Sequence, residues 1–182
     1  MAGLSRASAQ PATPLPAPSL RRRLACFIYE GVLLFGVVMV AGLLYSLLTE
    51  QRHALSGLHG MQMAIFGVLA LYFSWFWSHG GQTVAMKTWH IRVLDRDGQP
   101  VGTWRALLRY LLSWLWFLPA LGLTYAAGWK SGGAAAAALT LGVLAYASLS
   151  LVLPQRQYLH DRLAGTQLVV SKPARPQRRK TS

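Results

Sequence analysis

Apolar residues dominate four stretches of the chain, Leu24–Leu48, Met61–Ser78, Ala106–Gly128 and Gly132–Leu153, and polar residues collect between and beyond them. Each stretch approaches or exceeds the roughly 20 helical residues that cross a hydrocarbon core about 30 Å thick, so the pattern predicts four membrane-spanning helices. The second is the shortest, and the fourth carries a mildly apolar run of five alanines, Ala134 to Ala138. Ala134, Ala138 and Gly142 also recur every four residues, a small-residue stripe that allows close helix approach within the bundle or between two copies of it.

Two connecting segments follow the strand period instead. Apolar Trp89, Ile91 and Val93 alternate with polar residues and run into a turn at Asp97-Gly98. Thr166 to Ser171 reads TQLVVS, a second β-branched run next to turn-forming residues. The two are expected to pair, Ile91–Leu94 against Leu168–Val170. The fold class that results is an all-α membrane protein: a four-transmembrane-helix bundle with a small β pairing at one end.

Composition supports this reading. Of 182 residues, 53% are hydrophobic and only 13% charged, about half the charged fraction of a soluble domain. Lys and Arg number 18 against five acids, yet the basic residues flank the apolar runs and fall sixteen to two on alternate sides of the expected membrane. Basic residues accumulate on the cytoplasmic side, so both termini and the loop from His79 to Arg105 are expected there, and the charge implies topology rather than nucleic acid. Trp75 and Trp77 then fall at the inner end of span two and Trp129 at the outer end of span three, as interfacial anchors would. The single Cys26 excludes an internal disulfide. Residues 1–19, rich in Ala, Pro and Ser, are expected to form a disordered cytoplasmic tail, and 172–182 a basic one near anionic headgroups. The 25-residue span after the arginines is too long for a cleaved secretory signal, although the acid-free first 29 residues also have the composition of a mitochondrial transit peptide.

One carboxylate stands inside an apolar run. Glu30 lies seven residues after Arg23, about 10 Å along the helix and back within about 20° of the same face. Facing lipid it would cost a few kcal/mol, so it must face the bundle interior, pair, or take a proton. Arg23 and Arg109 are its expected partners, with Lys87 and the Asp161-Arg162 pair the other groups available. Two readings follow: a structural charge cluster at the cytoplasmic end, or a carboxylate that exchanges a proton or cation along a translocation path. Histidines 53, 59, 79, 90 and 160 lack the spacing of a metal site, and Asp95-Arg-Asp97-Gly98 lacks the later ligands of a calcium loop. Gly80-Gly81-Gln82-Thr83 lacks the ending of a phosphate loop, and no serine sits in a Gly-flanked turn. Neither an enzyme nor a cofactor is expected.

Three features coincide in order: Arg23 with Glu30, the segment GGQTVAMK after span two, and LHDRLAGTQLVV after span four. Over residues 20–171 the chain resembles the RDD family of small bacterial membrane proteins, named for an arginine and two aspartates. The resemblance assigns the motif charges to Arg23, Glu30 and Asp161; the supporting polar positions beside them are Gln82, Thr83, Lys87, Arg109, Arg162, Gly165 and Thr166. Glu30 stands where the family has aspartate, and Met86 where it usually has the glycine before the lysine. The resemblance implies a multi-pass protein of the bacterial inner membrane that transports an unidentified ligand, cation/proton exchange having been attributed to some members. The alternative is an accessory protein of another membrane complex. The expected partners are the lipid bilayer, a second copy or another membrane protein, and a cation or small ligand.

Overall fold

Ser19 begins the first helix: its side chain accepts from the backbone N–H of Arg22, satisfying one of the donors that a helix start leaves open. The helix, α1, runs Leu20–Leu48. The structure, a computed structural model, describes residues 16–49, 58–129 and 131–171. Most of the expected N-terminal tail and all of the basic C-terminal tail lie outside the described residues. Pro16 to Ser19, counted in that tail, are part of the fold: the Pro16 carbonyl accepts from Val170 and Pro18 is buried.

All four expected spans are present as helices of membrane-crossing length and apolarity. After α1 come α2 (Leu58–His79), the short α3 (Val84–Thr88) and strand β1 (Ile91–Asp95). Span three is α4 (Thr103–Ser113) and α5 (Leu118–Ala126), span four is α6 (Gly132–Val152), and the chain ends in α7 (Leu159–Leu163) and β2 (Thr166–Val170). Span three corrects the expectation of one continuous helix. A 3-10 turn, Trp114–Trp116, separates its halves, and Pro119 sits in the first turn of α5. Proline has no N–H and its ring collides with the carbonyl four residues back, so the α-helical ladder cannot run through this point.

The strands pair as expected, antiparallel, with Ile91 opposite Val170 and Val93 opposite Leu168. Both outer edges are covered. Val93 N–H donates to the Gly81 carbonyl at 2.8 Å, and the Gln157 side-chain amide forms two bonds with the main chain of Leu168, at 2.9 and 3.0 Å. Capping both edges keeps a two-stranded sheet from offering itself to another chain. Gly81 holds a left-handed backbone, φ 68°, and a Cβ there would meet the Val93 carbonyl at 2.6 Å. At the turn after β1, the Asp95 carboxylate accepts from the N–H groups of Asp97 and Gln99, so this acidic segment is a turn as expected.

One member of the small-residue stripe, Gly142, packs inside the bundle. A Cβ on Gly142 of α6 would lie 2.7 Å from the Ala120 Cβ of α5, whereas Gly122 has open space around it. Gly142→Leu should therefore lower the unfolding midpoint of the purified protein by several degrees and reduce its yield. Gly122→Leu should leave both near wild type, and equal loss in the two variants would contradict this packing.

Candidate functional site

Charged and hydroxyl groups converge where the sheet meets the helices. Arg23, Cys26 and Glu30 are the buried residues of α1, at spacings that place them on one face. The expected ion pairing does not form. Among the described residues no Lys, Arg or His lies within 4.0 Å of the Glu30 carboxylate. It accepts instead from two hydroxyls, Tyr72 of α2 at 2.8 Å and Thr83 just before α3. Thr83 serves two ends at once, because its oxygen also accepts from Met86 N–H and so caps α3. The GGQT segment is tied down on its other side by Gln82, whose amide donates to the Ile91 carbonyl at 2.6 Å.

Arg109 pairs elsewhere. Its Nε donates to Asp161 at 2.7 Å, with both side chains almost wholly buried, and its guanidinium lies over the Trp77 ring, 4.0 Å from the centroid. Trp77 is thus a buried partner of Arg109 and not the interfacial anchor expected, while Trp75 is exposed and stacks on His79. Thr166, the first residue of β2, donates to the Asp161 carbonyl and carboxylate at 3.2 and 3.3 Å. Between them Gly165 turns the chain with φ 70°, a conformation suited to glycine. Arg23 is 3% exposed; one nitrogen donates to Ser150 of α6 at 3.4 Å, and the group sits over the Tyr158 ring at 4.5 Å. Lys87 and Arg162 are exposed and stand apart from this buried set.

His160 completes the arrangement. Its backbone N–H donates to the Tyr146 hydroxyl at 3.0 Å, and that hydroxyl meets ring Nδ1 at 2.9 Å. The other ring nitrogen, Nε2, faces the Asp161 carboxylate at 3.6 Å. Burial pushes His160 down to about 4, against the pull of Asp161, so the ring is neutral near pH 7. At Asp161 burial is the largest single influence and favours the neutral acid, but the attraction of Arg109 and His160 together with the hydrogen bonds from Arg109 and Thr166 holds the carboxyl below its usual range.

Sequence reasoning missed Tyr72, Tyr146, Ser150, Gln157 and Tyr158. Their signal was weak: each is a common residue in or beside an apolar run, and only the folded neighbour gives it a role.

Arg23, Glu30, Arg109 and Tyr158 all line one cavity of about 310 Å³ between α1, α2 and span three, walled mainly by aromatic side chains such as Phe27, Phe73 and Trp116. The break in span three forms part of that wall through Ser113, Trp114 and Phe117. Four apolar spans with a buried polar cluster and a cavity at the sheet end define a multi-pass membrane protein. A family model for the RDD family matches residues 17–165, and the chain belongs to that family. Comparison with curated proteins and with solved structures gave no match.

Two outcomes test the cluster. Asp161→Asn leaves a buried guanidinium without its counter-charge and should cost about 3–5 kcal/mol, whereas replacing both Arg109 and Asp161 with leucine should cost much less. Thermal unfolding in detergent distinguishes the two. The second concerns acid. Because His160 binds its proton less well folded than unfolded, its contribution to stability is complete above about pH 6.5 and falls through the window down to about 4, by up to about 3 kcal/mol. Asp161, shifted down, contributes above its unfolded value near 3.8 and loses that only at lower pH. The unfolding midpoint should drop between pH 7 and 4.5 in the wild type, and much less in His160→Asn.

Proposed function

We propose that this is a small, non-enzymatic transport protein of the bacterial cytoplasmic membrane, with both termini and the sheet on the cytoplasmic side. In this reading the cavity admits a small ligand or ion, and Glu30 exchanges a proton or cation as it passes. The observation that carries it is Glu30, a carboxyl on a cavity wall within the first span, held by two hydroxyls and, among the described residues, by no base. A purely structural buried carboxylate calls for a base to neutralise it. Hydroxyls donate to a carboxylate and accept from a carboxylic acid, so the same cage suits either protonation state. The interrupted third span supports the reading too, since broken helices at cavities are the means by which transporters expose backbone to a ligand.

The alternative is an accessory protein of another membrane complex. The Arg109–Asp161 pair favours it, because that pair ties elements together and is already engaged. In either case the bilayer is the first partner, and a second copy could complete the enclosure that four short helices begin.

Vesicles containing only the purified protein separate the two. A transporter should dissipate an imposed pH gradient faster than empty vesicles, Glu30→Gln should abolish this, and Glu30→Asp should retain it. No flux above empty vesicles in any form would leave the accessory role. Topology has its own check: with Cys26 replaced by alanine, a cysteine at Ser131 should react with an impermeant thiol reagent outside intact cells, and one at Gln99 should not.

A further inference from the structure

Several residues that line the cavity carry buried hydrogen-bond donors without a partner. Each Glu30 oxygen accepts one bond, from Tyr72 or Thr83, and Asp161 engages the Nε of Arg109. Among the described residues lining the cavity, the unpartnered atoms are Nε and Nη1 of Arg23, the Tyr158 hydroxyl and the Trp77 indole N–H. Each can donate. Among the described residues no carboxylate comes within 4.0 Å of Arg23, so its charge is buried without a counter-charge. Buried donors are almost always satisfied in folded proteins, and a guanidinium fork with two free nitrogens matches the two oxygens of a carboxylate or phosphate.

We propose that the cavity binds a small amphipathic anion, its oxyanion head held by Arg23 and Tyr158 and its apolar stem lying along Phe27, Phe73 and Trp114. The size is suitable, since about 310 Å³ is at the lower end of sites for small organic ligands. So is the direction. Arg23 lies in the first turn of α1, and the α1 wall runs from there to Leu34, roughly 16 Å at 1.5 Å per residue. Head outward and stem inward is how an amphiphile lies in a bilayer leaflet. Burial pushes the Tyr158 hydroxyl up to about 12, which keeps its proton available for donation. At the Arg23 end of the cavity an organic cation would meet a like charge at close range, and a neutral apolar molecule would leave the donors unmet. The head chemistry is shared by a free organic acid and by an anionic lipid.

This inference names the ligand of the cavity in the reading above, and it rests on that cavity being a ligand site but not on transport. The test uses the full chain in phosphatidylcholine nanodiscs, with the tryptophans lining the cavity as reporters. Titration with 4-phenylbutyrate should change the fluorescence saturably, while 4-phenylbutanamide and 4-phenylbutylamine should bind at least about tenfold more weakly, the usual worth of a charge-assisted bond. Arg23→Lys, which keeps the charge but loses the fork, should weaken the acid by a similar factor, and Arg21→Lys should not. Adding phosphatidylglycerol to the discs identifies the source: competition with the acid assigns the site to a lipid headgroup, and its absence to a free acid. Equal binding of acid, amide and amine would overturn the proposal, as would no saturable binding of the acid or an unchanged affinity in Arg23→Lys. Acid binding without proton flux would leave this inference standing and remove the transport reading; flux with no preference for the acid would do the reverse.

Discussion

The buried pair between Arg109 and Asp161 governs where the other polar groups can go. It joins α4 to α7, Trp77 brings in α2 beneath the guanidinium, and Thr166 brings in the first residue of β2. Taking two charges out of water costs nearly as much as their attraction returns, so such a pair contributes specificity more than net stability. Its consequence is positional. Once Asp161 is fixed beside Arg109, Gly165 can turn the chain and lay β2 against β1 in a single register.

The same pair leaves the other two motif charges without their most obvious partners. Glu30 turns to Tyr72 and Thr83, and Arg23 to Ser150 and the face of Tyr158. The arginine and two acids of the family pattern therefore do not form one ionic cluster. Asp161 is locked into the scaffold, while Arg23 and Glu30 both line the cavity and, among the described residues, neither has an ionic partner. A fold that needed these groups only for stability would gain by pairing them, because an uncompensated buried charge is among the most expensive features a core can hold.

Much of the architecture was legible because two periods rarely confuse each other. Long unbroken apolar runs can only be spans, and the alternation around Ile91 and Val93 can only be a half-buried strand, so both elements and their pairing could be read before any coordinates. The partner of Glu30 could not. Matching opposite charges along a sequence selects Arg23 and Arg109, whereas hydroxyls as partners leave no mark: Tyr72 resembles any aromatic of span two, and Thr83 any helix cap. Gln157 is similar, since a side chain that imitates a neighbouring strand has no pattern of its own. The break in span three did carry a signal in Pro119, but hydropathy averages over a single proline, and twenty-odd apolar residues suggest a continuous helix.

That proline also explains where the cavity lies. A continuous third helix would pack its side chains against α1 and α2 along their whole length, as helices in bilayers do to recover dispersion contacts. The interruption between Ser113 and Leu118 falls just where Trp116 and Phe117 come up against Phe27 on α1. Irregular backbone at membrane depth is tolerated only where protein buries it or a cavity lines it, and here the bulky aromatics supply that cover. Large flat rings meeting at tilted angles, such as Phe66 with Trp114 and Trp116 with Tyr146, do not interdigitate as aliphatic side chains would. The space they leave is bounded by whatever the inward face of α1 presents, which is Arg23 at one end and Glu30 two turns deeper. The charge pattern of α1 and the break at Pro119 in span three, some ninety residues apart and unrelated as sequence signals, thus meet at one cavity.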